Sequence, residues 1–204
     1  MKINVSNKII IRLTHIAFLF FTALFLASCG MIDPTHEQAT ITGNTYTNNL
    51  VGLSISAPSS DWTVTMNAPD SSKALIIKYN TGRDFNPDVV VTASPVQPGD
   101  SLASVTQASI TEFCQDPTFS NKTISYNDQS TILVNGKSFG KVMANVTKTY
   151  YTSASQPATI ALVIDQYVTI HNGYDIVFTF VDDFNDFANI DAEFVSIRNS
   201  IQLF

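Results

Sequence analysis

Two Asn-Gly dipeptides, Asn135-Gly136 and Asn172-Gly173, each stand between runs in which apolar and polar residues alternate. Both residues of such a pair tolerate positive φ, which suits the two-residue turn of a β-hairpin. Ile132 to Val134 leads into the first turn, and Ser138 to Tyr151 leaves it. Ala158 to Ile170 leads into the second, with Ile160, Leu162, Ile164, Val168 and Ile170 on one face. Beyond it Tyr174, Ile176, Phe178 and Phe180 alternate again. Tight hairpins force antiparallel neighbours, so the second half of the chain reads as an antiparallel sheet.

The first half adds strands and one change of period. Val51, Leu53 and Ile55 alternate with Gly52, Ser54 and Ser56, and Trp62, Val64 and Met66 alternate after the Pro58-Ser59-Ser60 break. Ala74 to Tyr79 and Val89 to Ser94 are strands rich in β-branched residues, bounded by turn residues. From Asp100 the spacing becomes helical: Leu102, Val105, Ile110 and Phe113 fall in one stripe, Asp100 or Ser101 caps its start, and Pro117 closes it. Lys122 to Tyr126 is a short strand. A second stripe, Phe184, Phe187, Ile190, Phe194, Ile197 and Ile201, marks a terminal helix. Asp182 and Asp183 sit at its start, where carboxylates suit the positive end of the helix dipole. The fold class is therefore α+β: a mainly antiparallel β-sheet flanked by helices.

The N-terminal segment carries an address. Lys2, Lys8, Arg12 and His15 stand in a stretch without acidic residues, followed by the apolar run Ile16 to Leu26 and then Ala27, Ser28 and Cys29. A positive start, a short apolar core and small residues at its end describe a secretory signal peptide over residues 1–28. The apolar run is 11 residues long, against about 20 for a membrane span.

Leu26-Ala27-Ser28-Cys29 resembles the lipobox of bacterial lipoproteins. That resemblance implies cleavage between Ser28 and Cys29, a diacylglycerol on the Cys29 sulfur and usually an acyl chain on its amino group. Gly30 resembles the pattern that permits transfer to the outer membrane, where the protein would face the periplasm. Two or three acyl chains anchor a protein stably where one is marginal.

Residues 29–49 then form the lipidated N-terminus and a flexible tether, because the Thr- and Asn-rich run shows no helix or strand period. The domain occupies residues 50–204. Removing residues 1–28 takes three of the 11 basic residues and none of the 17 acidic ones, so the formal charge of −6 becomes −9. That balance disfavours a nucleic-acid partner and charge-driven adsorption to anionic lipid, and no nucleic-acid partner is expected. The expected partners are the membrane, through the N-terminal lipid, and an envelope protein. With Cys29 acylated, Cys114 is the remaining thiol, so no intramolecular disulfide staples the domain. The roughly 155 residues of the domain are enough for it to be held by packing instead.

Gly52-Leu53-Ser54-Ile55-Ser56 followed by Trp62, the helix beginning at Ser101-Leu102, the hairpin through His171-Asn172-Gly173-Tyr174 and the closing helix through Phe194 to Ile201 resemble the PsbP-like fold. That fold, which includes the DcrB-like bacterial lipoproteins, is an α/β/α sandwich with an antiparallel sheet between helices. Its members include photosystem accessory proteins, a nuclear-transport regulator and envelope lipoproteins. The resemblance covers roughly residues 50–204 and implies non-enzymatic binding or accessory work.

The inventory of reactive groups points the same way. His36 lies in the tether, and His171 reads as a turn residue at the mouth of a hairpin. Asp165 and His171 share a strand face but lie six residues apart, about 20 Å at 3.3 Å per residue. Cys114, at the flank of a helical stripe, reads as a small buried hydrophobe. The acidic run Asp182, Asp183, Asp186, Asp191 and Glu193 lacks the spacing of a calcium loop, with Phe187 and Ala188 at the fifth and sixth positions counted from Asp183. No phosphate-binding glycine loop, nucleophile elbow or aromatic-basic patch is present. Tyr150 and Tyr151 face opposite ways on one strand, and one of them could mark a contact surface.

No catalytic residue, metal site or cofactor is expected, and the chain is read as a non-enzymatic, lipid-anchored envelope protein serving assembly or transport. The alternatives are a periplasmic hydrolase whose site is scattered along the sequence, and a structural surface component or phage or toxin entry factor.

Overall fold

The two Asn-Gly turns form as the sequence requires. Asn135 and Gly136 have φ of 48° and 77°, and Asn172 and Gly173 have 48° and 79°. These values match the two left-handed positions of a type I′ turn. The computed structural model describes residues 38–66, 73–79, 86–117, 119–125, 131–151 and 157–204. The segment expected to be a signal peptide and the lipobox-like residues Leu26, Ala27, Ser28 and Cys29, with Gly30 and His36, lie outside the described residues, as do the side chains of Tyr150 and Tyr151.

The elements run β1 (Ala39–Thr42), β2 (Thr45–Asn48), β3 (Leu53–Ser56), β4 (Trp62–Met66), β5 (Lys73–Tyr79) and β6 (Asp88–Pro95). Helix α1 (Leu102–Gln115) is followed by β7 (Phe119–Ser125), β8 (Thr131–Val134), β9 (Lys137–Tyr151), β10 (Pro157–His171) and β11 (Tyr174–Asp183). Helix α2 (Phe187–Ser200) and β12 (Gln202–Leu203) close the chain. The larger sheet has the order β4-β5-β6-β11-β10-β9-β7, with β8 also pairing β9, and the smaller has the order β1-β2-β3-β12. The pairings are antiparallel.

β10 lies between β9 and β11 and is buried on both faces from Leu162 to Thr169. Its even positions Leu162 and Ile164 meet Phe113 of α1 together with Ala144 and Val146 of β9. Its odd position Tyr167 joins the main core on the other face, where Ile176, Phe178 and Phe180 of β11 pack with Ile190, Phe194 and Ile197 of α2. The two helices thus cover opposite faces of one sheet, and the small sheet adds Tyr46, Leu53 and Ile55 to the α2 side. α1 is started by a capping box. Ser101 Oγ accepts from the Ser104 N–H at 3.2 Å, and Ser104 Oγ accepts from the Ser101 N–H at 2.8 Å.

Three sequence expectations about the bounds of elements need correction. The tether does not extend to residue 49, because β1 and β2 form a hairpin whose second strand pairs with β3. The Thr-rich run concealed it: Thr is polar yet β-branched, and the only large apolar groups in the strands are Ile41 and the buried Tyr46. Asn48, also buried, satisfies the turn that follows, its Oδ1 accepting from Leu50 N and Val51 N and its Nδ2 donating to the Tyr46 hydroxyl.

The terminal helix begins at Phe187 rather than at Asp182. Asp182 and Asp183 end β11, where Asp182 Oδ1 accepts from Asp183 N and Asp183 Oδ1 accepts from Asn185 N. Phe184 therefore leaves the helical stripe and is exposed. β7, finally, begins at Phe119, three residues before Lys122, because Phe119 packs against Phe113 with ring centroids 5.2 Å apart.

Candidate functional site

α1 docks over β9 and β10 and leaves the β6–β11 side of that sheet face open. Its approach is set at Gly140 of β9, where a Cβ would collide with the Thr106 side chain. Val105, Ile110 and Phe113 are the helix residues buried by this contact. What remains beside the helix is a solvent-open groove of about 470 Å³, within the size range of ligand clefts. Its floor is a β-branched and aliphatic row, Val90 of β6, Val177 and Val181 of β11 and Leu162 and Ile164 of β10, with Phe113 and Phe119 as one wall.

A polar strap crosses this floor. Ser109 Oγ on α1 donates to Gln166 Oε1 at 3.1 Å, and Gln166 Nε2 donates to Thr179 Oγ1 at 3.1 Å. Gln166 is buried, so these bonds satisfy both ends of its amide while fixing the spacing of helix, β10 and β11.

The rim is acidic. Glu112 and Asp116 stand at the C-terminal end of α1, whose last turn carries no basic residue. They add to the negative end of the helix dipole. Asp88, which lies opposite Lys78 in the β5–β6 register, lines the far side. Lys148 is the cation among the described lining residues, its Nζ 5.9 Å from the Phe119 ring centroid. Asp175 belongs to the same field: burial raises its pKa, the Ser94 N–H opposes that rise, and the carboxylates of Asp100 and Glu112 add to it.

A second polar cluster lies on the opposite face. The Tyr167 hydroxyl donates to Asp165 Oδ2 at 2.6 Å and accepts from Arg198 Nη1 at 2.9 Å, while Lys141 Nζ stands 3.4 Å from the same carboxylate oxygen. Burial raises the Asp165 pKa against the lowering effects of Tyr167 and Lys141. Burial, with the Asp165 charge behind it, also raises that of Tyr167. The space beside the cluster is about 10 Å³, room for one water molecule at most. It joins β9, β10 and α2 as a structural tie.

The residues weighed for catalysis are dispersed. Asp165 belongs to that cluster, and His171 at the end of β10 places Nε2 2.9 Å from the Phe204 carbonyl oxygen. Cys114 is exposed on α1, which corrects the expectation that it is a buried hydrophobe. The buried stripe of that helix passes through Ile110 and Phe113, and the next position turns outward. Among the described residues no group of three or more His, Cys, Asp or Glu side chains could hold a metal ion. Also among them, no helix is long and apolar enough to cross a membrane.

The sequence reading missed Gln166, Thr179, Glu112 and Lys148. Only one weak signal marked the first of these: Gln166 interrupts the aliphatic even positions of β10.

No family model and no curated protein matches the chain. Solved structures similar to it include two with related architecture. One is LpqN, involved in cell envelope biogenesis of Mycobacterium tuberculosis, at 14% identity and a TM-score of 0.51, covering 74% of this chain and 82% of that one. The other is cyanobacterial PsbP (CyanoP) from Synechocystis sp. PCC 6803, at 12% identity and a TM-score of 0.52, covering 86% of this chain and 97% of that one. At these identities the likeness concerns architecture, and the chain has a PsbP-like α+β fold.

Proposed function

We propose that the chain is a lipid-anchored cell-envelope protein that works by binding rather than by catalysis, as an accessory to envelope assembly or transport. The observation that carries this reading is the groove beside α1. It offers an apolar floor, a charged rim and a rigid polar strap, and among the described residues it brings no nucleophile together with a base. The involvement of LpqN in envelope biogenesis supports the same direction through the shared fold.

Lipidation at Cys29 would set the working distance. With β1 beginning at Ala39, about ten residues separate the acylated cysteine from the first strand, a reach of at most about 35 Å. The domain would therefore meet its partner close to the membrane surface, with Gly30 favouring the outer membrane. Acyl chains contribute about 0.8 kcal/mol per buried CH₂, so two or three hold the domain there stably.

The test is made in a bacterial host. The full chain should incorporate labelled palmitate and fractionate with membranes, and Cys29→Ser should lose both properties. A photo-crosslinker at Val177 should capture an envelope component that one at exposed Thr63 does not. Persistent acylation of the Cys29→Ser protein would overturn the anchor, and the absence of any Val177-dependent capture would overturn the binding reading.

A further inference from the structure

Asparagine followed by glycine carries a chemistry besides its fit to a tight turn. The glycine nitrogen, unshielded by a side chain, attacks the side-chain carbonyl carbon of the asparagine. The new N–Cγ bond closes a succinimide ring, the N–H proton ends on the departing Nδ2, and that nitrogen leaves as ammonia. Water then opens the ring at either carbonyl, giving aspartate or isoaspartate. Attack needs the reacting atoms in line and close, so the side chain must swing away from whatever its amide holds.

The chain contains the pair twice, in turns of matched backbone and exposure: φ is 48° and 77° at Asn135-Gly136, and 48° and 79° at Asn172-Gly173, and all four residues are exposed. What differs is the grip on the amide. Asn135 Nδ2 donates to Ile201 O at 2.7 Å and to Asn199 O at 2.9 Å, which holds it at two carbonyls at the end of α2. Asn172 Nδ2 donates to Phe204 O at 3.3 Å, just beyond the usual N–H···O range. His171 Nε2, at 2.9 Å, stands closer to that same acceptor.

We infer that Asn172 is a site of spontaneous deamidation in the folded protein and that Asn135 is protected from it. The product acts on a seam of the fold. Aspartate at 172 sets a carboxylate oxygen where Nδ2 had donated, against the Phe204 carbonyl oxygen. Isoaspartate also lengthens by one main-chain carbon the loop that closes the His171–Tyr174 pair. Either product loosens residues 202–204, which are then held by the pairing of β12 with β3 and by the bond from Phe204 N to Gly52 O at 3.0 Å.

The test incubates the full chain, purified from a bacterial host, in mildly alkaline buffer with and without urea. Peptide mass mapping follows the conversion of amide to acid at each asparagine. In the folded protein Asn172 should convert about tenfold faster than Asn135, the effect of roughly one extra net hydrogen bond on the barrier. In urea the two rates should converge. Gly173→Ala should slow conversion at Asn172 in urea too, where folding plays no part, and leave Asn135 unchanged. In Asn172→Asp the amide of Phe204 should exchange with deuterium faster than in the native chain. Equal rates in the folded protein, faster loss at Asn135 or no conversion at Asn172 would overturn the inference. So would a difference that persists in urea, or a rate at Asn172 indifferent to Gly173→Ala. Unchanged exchange at Phe204 in Asn172→Asp would overturn the loosening of residues 202–204.

Discussion

Gly52 has φ +71°, and a Cβ placed on it would collide with the Phe204 backbone oxygen and the Asn172 side-chain amide, with His171 Nε2 also close. Three parts of the chain far apart in sequence meet at this residue. Phe204 N donates to Gly52 O at 3.0 Å, Asn172 Nδ2 donates to Phe204 O at 3.3 Å, and His171 Nε2 lies 2.9 Å from that same oxygen. In Gly52→Ala the left-handed backbone costs about 1–2 kcal/mol. Relieving the collision means pulling the C-terminal segment away and losing these bonds, each worth about 0.5–1.5 kcal/mol before discounting for exposure. The expected total is about 2–4 kcal/mol, read from urea unfolding at neutral pH. Gly43→Ala is the control. Gly43 has φ +58°, but a Cβ added there would meet nothing within 4 Å, so the substitution should cost only about 1–2 kcal/mol. His171→Ala should cost less in the Gly52→Ala background than alone, because both act on one junction. Equal destabilisation by the two glycine substitutions, or strict additivity with His171→Ala, would refute this account of the junction.

Phe194 is buried among Trp62, Phe180 and Phe187, with ring centroids 6.0, 5.3 and 5.8 Å away. Phe194→Ala should lower stability by about 3–5 kcal/mol, whereas Phe184→Ala, at an exposed position, should stay within about 0.5 kcal/mol, both measured by chemical unfolding. Asp165 gives a pH dependence whose sign follows from its raised pKa. The folded state binds the proton more tightly than the unfolded one, so this contribution is fully present below the ordinary carboxyl pKa and is lost as pH rises through the folded value. The stability of the native protein minus that of Asp165→Asn should therefore fall as pH rises above the ordinary carboxyl range of about 4, and a flat or rising difference in urea titrations would count against the burial of this carboxyl.

The legible parts of the fold are those in which one residue type has one geometric use. Asn-Gly twice specified a two-residue turn, and those turns fixed the register of β8–β9 and β10–β11. Ser101 was readable as a cap, and Val105, Ile110 and Phe113 as the face beneath it. Thr45 to Asn48 was not readable, because a strand whose solvent face is threonine shows little hydropathy contrast. Asp182 and Asp183 misled for the opposite reason: a carboxylate before an apolar stripe suits a helix start and a strand-ending turn equally well. The groove was hidden most completely. Ser109, Gln166 and Thr179 are ordinary residues on three elements, and only the strand order β6-β11-β10 with α1 across it brings them into one strap.

That strand order also explains why the open face lies where it does. β6 and β11 pair although α1, β7, β8, β9 and β10 lie between them in sequence, so the chain must leave the sheet at Pro95 and return to it at β7 on the far side. α1 makes this crossing, and its 14 residues span about 21 Å at 1.5 Å per residue. Adjacent strands lie about 4.8 Å apart, so a helix about 10 Å wide shields roughly two of them. Gly140 draws α1 down onto β9 and β10, and β6 and β11 are left with half-buried valines on that face. Moving the helix toward β6 would cover those valines but would break the Ser109–Gln166 bond and uncover Ala144 and Val146. The groove is thus a consequence of how one short crossover helix is seated on the wide sheet, and two of its rim carboxylates, Glu112 and Asp116, stand at the C-terminal end of that same helix.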